Sequence, residues 1–138
     1  MEKELLSGKL PVKDAPDAWN AKSLELLGVE PSTDAEGILQ DIHWSMGEFG
    51  YFPTYALGNL LSAQTWCAAR AEIPDLDGEI AKGNFRPLLT FLRERIHGFG
   101  ARFSPAQTLE KAFGSRQIDP ECFLALLERK YAQLCGFR

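Results

Sequence analysis

Apolar side chains recur at three- and four-residue spacing along most of this 138-residue chain, and prolines and glycines cut the pattern into short runs. A period near 3.6 buries one stripe of a helix, whereas a half-buried strand needs strict alternation, and alternating stretches are scarce here. The predicted class is therefore all-α: an irregular multi-helix bundle, because several runs are short and joined by tight turns. Residues 2–7 read as a helix that starts abruptly at Glu2 and stops at Ser7-Gly8. Asp14 is placed to cap a helix with Pro16 in its first turn, running past Trp19 to Gly28. A loop over 29–34 leads to a short helix from Ala35 to about Ile42, then a glycine-rich turn at 45–50. The longest helix spans about Pro53 to Ala71, with Tyr55, Leu57, Leu60, Leu61, Trp66 and Cys67 on its buried side. After it come a short helix near 75–82, an amphipathic one from Phe85 to His97, and one opened by Ser104-Pro105 that ends near Gly114. The last is capped by Asp119-Pro120-Glu121, with Phe123, Leu124, Leu127, Tyr131 and Leu134 facing inward. No repeat, low-complexity tract or linker interrupts residues 1–138, which are expected to form one segment.

Hydrophobic residues make up 45% of the chain and charged ones 25%, which argues against disorder. The net charge is −4 and no Lys/Arg stripe interleaves with aromatics, so no nucleic acid is expected as a partner. No apolar run approaches the roughly 18–20 residues that span a bilayer, and MEKELLSGKLP lacks the apolar stretch of a signal peptide. Cys67, Cys122 and Cys135 form an odd set without CxxC spacing, which reads as free thiols in a reducing compartment. The expectation is a cytoplasmic protein with no membrane contact.

The segment Gly37 to Gln64, GILQDIHWSMGEFGYFPTYALGNLLSAQ, holds more turn-formers and polar aromatics than helical core requires. It reads as a shaped loop that delivers side chains to one place. His43 is the first candidate, because an imidazole donates a hydrogen bond to a developing oxyanion or accepts a proton. A lone histidine before a tryptophan is more often a packing residue. Here, however, Tyr51 lies eight residues on across the Gly47/Gly50 turn, and Tyr55 follows at the start of the helix. Two donors converging across a turn are what stabilisation of a tetrahedral intermediate requires. Gln40 and Asp41 could orient His43 or bind a substrate main chain, and capping or exposure explains them equally well. A metal site needs three or four converging ligands, and the chain offers only His43 and His97 with no HExxH, so none is expected. His97 sits before Gly98, where a role at a helix C-terminus is the better reading. Phe91, Phe99, Phe103, Phe113 and Phe123 stand at core spacings, and no phosphate loop or GxSxG elbow is present.

GILQDIHW fits the pattern GxxQDxHW, and GYFPTYALGNLLSAQ follows it directly. Together these motifs resemble the C-terminal part of the HExxH zinc metallocarboxypeptidases of the carboxypeptidase Taq type, and the flanking sequence agrees over essentially the whole chain. The resemblance implies a large, mostly helical body with a zinc-holding groove that releases C-terminal residues from peptides. The family's HExxH, its third-ligand segment and its IRxxAD motif have no counterpart here, so this chain looks like the last quarter of such an enzyme. The cofactor expectation is accordingly no metal in this chain and zinc in the complete enzyme. By the more distant similarity to angiotensin-converting enzyme, His43 and Tyr51 would stabilise the oxyanion. Gln40, Asp41, Trp44 and Tyr55 would bind or position substrate along the groove.

The resemblance implies a peptide as substrate, an upstream HExxH-containing segment as partner, and no activity for the chain alone. The contrasting expectation is a non-catalytic helical module on the same scaffold that binds peptides or proteins. Trp19, Phe49, Phe52 and Trp66 are candidates for exposed apolar patches, which together with family habit favours a homo-oligomer.

Overall fold

The computed structural model describes residues 1–136. Among them every regular element is a helix, and the chain divides into two compact units, Met1–Tyr55 and the residues from Ala56 onward.

In the first unit, α1 (Glu2–Leu6) is followed by a 3-10 turn at Val12–Asp14 and by α2 (Ala15–Leu27). Asp14 occupies the N-cap of α2 with Pro16 in the first turn, as the sequence suggests, but its side chain makes no capping bond. Gly28 closes α2 in the left-handed conformation (φ 69°), which costs a glycine nothing. The helix expected over 35–42 is not formed. A run of turns and two 3-10 turns, Ile38–Gln40 and Trp44–Met46, takes its place. The interruption falls at Asp41, whose extended backbone (ψ 95°) ends the first of these turns.

α3 (Pro53–Glu72) begins at the proline, whose missing N–H is no loss in a first turn. In the second unit, α4 (Leu76–Ala81), α5 (Arg86–Arg95), α6 (Pro105–Phe113) and α7 (Glu121–Cys135) follow. The core is Ala69, Leu76 and Phe91, with Trp66, Ile73, Leu88 and Leu92 packed on it. A small residue on α3 thus lets the Phe91 ring of α5 come close. Arg95 Nη2 donates to both carboxylate oxygens of Glu72 at 2.7–2.8 Å, clamping the ends of these helices. Ser104 and Gln107 form a reciprocal capping box that starts α6. Buried Gln64 accepts the Asp119 backbone N–H at 3.1 Å, and Asp119 in turn accepts the Glu121 N–H at 3.0 Å, which anchors the entry to α7.

Several apolar faces expected inside are not. Leu124, Tyr131 and Leu134 of α7 are exposed, as are Tyr55 and Leu57 of α3. A periodic apolar stripe shows that a helix has a face to bury, but not that the same chain supplies the cover. Conversely, Trp19 and Trp66 are half-buried, and only Phe49 and Phe52 of the four aromatics proposed for surface patches are exposed. His97 lies beyond the end of α5, at the start of a 3-10 turn, and so is not a last-turn residue of that helix. No helix among the described residues is long and apolar enough to cross a membrane.

Candidate functional site

The site is built by the loop between α2 and α3. Gly37 opens it at a point of close approach, where a Cβ would stand 3.1 Å from the Pro31 side chain and 3.3 Å from Asn20 Oδ1. Asp41 then folds back on the chain: its Oδ1 accepts the backbone N–H of His43 at 3.0 Å, an Asx turn. The same oxygen lies 2.8 Å from His43 Nδ1. Both side chains are buried, each residue 9% exposed. Past His43 the chain reverses through Gly47 (φ 78°), and the Glu48 N–H returns to the His43 carbonyl at 2.9 Å. Only glycine adopts that conformation without strain.

This reversal brings the start of α3 against the imidazole. Tyr51 stacks on the ring at 5.0 Å between centroids and 28° between planes. Phe52 meets it edge-on at 5.7 Å and Tyr55 lies tilted at 5.9 Å. Tyr51 and Tyr55 pack edge-to-face on each other at 5.8 Å, so the cluster is closed among its own members. Such pairs contribute roughly 0.5–1.5 kcal/mol each beyond the area they bury. Tyr51 and Tyr55 remain about half exposed, while the histidine between them and Asp41 is buried.

His43, Tyr51, Tyr55 and Asp41 are thus brought together, whereas Gln40 and Trp44 are directed elsewhere. The Gln40 amide donates to the Ala35 carbonyl within the loop. The Trp44 indole N–H donates to Glu2 Oε1 at 2.8 Å, and its ring stacks on Phe49 at 5.7 Å and meets Trp19 edge-on at 6.1 Å. Trp44 therefore ties α1 and α2 to the loop. Beside it runs an apolar groove of about 550 Å³ lined by Leu5, Val12, Ile38, Ile42, Trp44 and Phe49. Two members escaped sequence reasoning. Phe52 is a third aromatic on His43, signalled only by its place one residue after Tyr51. Glu2 is 42 residues from its tryptophan partner and gave no local signal.

The family model for the carboxypeptidase Taq (M32) metallopeptidases matches residues 1–131. The chain belongs to that family. It is 45% identical over 136 residues to thermostable carboxypeptidase 1 of Thermus thermophilus and 43% identical over 131 residues to the enzyme of the same name from Pyrococcus furiosus. These alignments cover 99% and 95% of this chain but 26% of each relative. Among solved structures, the M32 carboxypeptidase of Deinococcus radiodurans superposes with a TM-score of 0.89 at 40% identity, over 98% of this chain and 27% of that one. Metallocarboxypeptidase 1 of Trypanosoma cruzi superposes at 0.86 and 38% identity, over 94% of this chain and 27% of its own. The chain therefore spans about a quarter of the M32 proteins that it matches.

The residues present do not fit the metal that an M32 metallopeptidase implies. Among the described residues, no group of three or more His, Cys, Asp or Glu side chains is placed to hold an ion. What the arrangement offers is an imidazole fixed by a buried carboxylate, with two phenols over it. Such a set can donate hydrogen bonds to a substrate carbonyl or to the oxyanion that forms from it.

Proposed function

We propose that this chain is the C-terminal, substrate-groove portion of a zinc metallocarboxypeptidase that releases C-terminal amino acids from peptides. The observation that carries the reading is the His43–Tyr51 stack at 5.0 Å, set on Asp41, in a loop that belongs to the M32 family. In this role His43 and Tyr51 donate to the oxyanion of the tetrahedral intermediate, and Tyr55, one helical turn on, borders the peptide. Gln40 and Trp44 act on the groove indirectly, by holding the loop and its neighbours in shape. The metal ligands and the general base are supplied by an HExxH-containing polypeptide that completes the fold. The apolar groove beside Trp44 and the exposed face of α7 support the same division, because they are surfaces for further helices to cover.

Zinc calorimetry tests the reading. The chain alone is expected to show no stoichiometric zinc binding. A mixture with a polypeptide spanning the N-terminal three-quarters of the Thermus thermophilus carboxypeptidase 1 is expected to bind zinc and this chain together. Stoichiometric zinc uptake by the chain alone, or no association with that polypeptide, would count against it.

A further inference from the structure

We infer that Asp41 is a positioning residue that fixes the tautomer of His43, leaving Nε2 as the ring nitrogen that works on a substrate. The Asp41 carboxylate is buried, and its Oδ1 faces two nitrogens of His43: the backbone N–H at 3.0 Å and Nδ1 at 2.8 Å. An ionised carboxylate only accepts, so the proton of the second contact resides on Nδ1. Turning the ring over would set Cδ2 in place of Nδ1 and give up that bond, and Tyr51, Phe52 and Tyr55 pack against the ring as it stands. Nε2 is the nitrogen left over.

The chemical consequence is specific. In the neutral ring Nε2 carries a lone pair and would repel an oxyanion; it donates only when the ring holds both protons. Stabilisation of an oxyanion by His43 therefore uses the imidazolium, with Asp41 as its buried counter-charge. The titratable side chains set against the ring are Asp41, Tyr51 and Tyr55. The catalytic meaning rests on the function proposed above, but the tautomer does not, because it is a property of this chain by itself.

Long-range nitrogen–proton correlation spectra of the imidazole in the 138-residue chain, followed through a pH titration, read the tautomer directly. The chain has two histidines, so a His97→Gln variant assigns the signals. In the alkaline limb the wild-type ring is expected to carry its proton on Nδ1; a proton on Nε2 would overturn the inference. Asp41→Asn keeps an acceptor for the backbone N–H but removes the charge, and a charge-assisted bond is about twice as strong as a neutral one. That variant is expected to populate the Nε2–H form substantially while its backbone amide spectrum stays folded. An unchanged Nδ1–H population in a folded D41N would show that Asp41 shapes the loop without setting the ring. If D41N does not fold, the wild-type spectrum still decides. Neither result depends on hydrolysis, so failure of the tautomer and failure of the proposed activity are separable.

Discussion

Asp41 Oδ1 holds His43 twice, through the ring nitrogen at 2.8 Å and through the backbone N–H at 3.0 Å. The first contact orients a side chain and the second makes the turn that presents it, so loop shape and ring orientation depend on one oxygen. Asp41→Ala removes the acceptor for both donors in a buried setting. At ~1–3 kcal/mol for each buried donor left unpaired, a loss of roughly 2–6 kcal/mol is expected. Urea unfolding of the two proteins side by side checks this. A loss below about 0.5 kcal/mol, the range of a surface substitution, would mean that the pair is not formed in solution.

Tyr51 is expected to matter for chemistry more than for folding. Its ring covers His43, but the residue is about half exposed, so folding depends on the ring more than on its hydroxyl. Tyr51→Phe should leave the unfolding midpoint nearly unchanged. In the complex completed by an HExxH-containing polypeptide, the same change should lower kcat by ~10²–10³, the usual effect of deleting one oxyanion donor. A rate within about twofold of the unsubstituted complex would remove Tyr51 from the site.

Trp44 gives the converse case. Its indole N–H on Glu2 and its contacts with Phe49 and Trp19 fasten α1 and α2 to the site loop. Trp44→Phe keeps a ring but drops the hydrogen bond to a carboxylate, expected to cost about 1.5–3 kcal/mol. Amide exchange should then accelerate over residues 2–6 before it does in α3. Uniform acceleration across the chain would argue against a local tether.

How much of this was legible beforehand follows from which interactions are local. Helices capped by proline, glycine or Ser104 stand where the periodicity puts them, because their signals lie within a few residues. His43, Tyr51 and Tyr55 converge as expected, since a single glycine-mediated reversal joins them. The short helix at 35–42 failed because an Asx turn at Asp41 competes with the helical bonds, and composition does not reveal which wins. The inward faces assigned to α7 failed for another reason: amphipathicity reports that a partner surface exists, not which polypeptide carries it. The Glu2–Trp44 bond was invisible because nothing in the sequence links positions 42 residues apart.

Cys122 provides a test independent of the site. A hydrogen bond with the Cys67 thiol, and then burial, push Cys122 from 9.0 up to about 11. At pH 8 its thiolate is about one part in a thousand, so iodoacetamide should modify exposed Cys135 well before Cys122. Because the folded state holds this proton more tightly than the unfolded state, its contribution to stability is complete below pH 9.0 and declines toward about 11. A Cys122→Ser variant should lack that part of the alkaline decline. Alkylation of Cys122 as fast as Cys135 at pH 8 would contradict the placement.

Leu26, Leu27, Leu124 and Leu134 are exposed, and apolar side chains left uncovered favour self-association. Light scattering at micromolar concentration is expected to show a homo-oligomer, dispersing as the complementary polypeptide is added. A clean monomer on its own would remove this expectation.

The most direct measurement mixes this chain with zinc and a polypeptide spanning the N-terminal three-quarters of a matching M32 carboxypeptidase, then follows release of C-terminal residues from a peptide. Neither part alone should release them, the mixture should, and a mixture carrying His43→Ala should lose most of that rate while still assembling. Release by the 138-residue chain alone, or a His43→Ala mixture as active as the original, would contradict the role assigned to this loop.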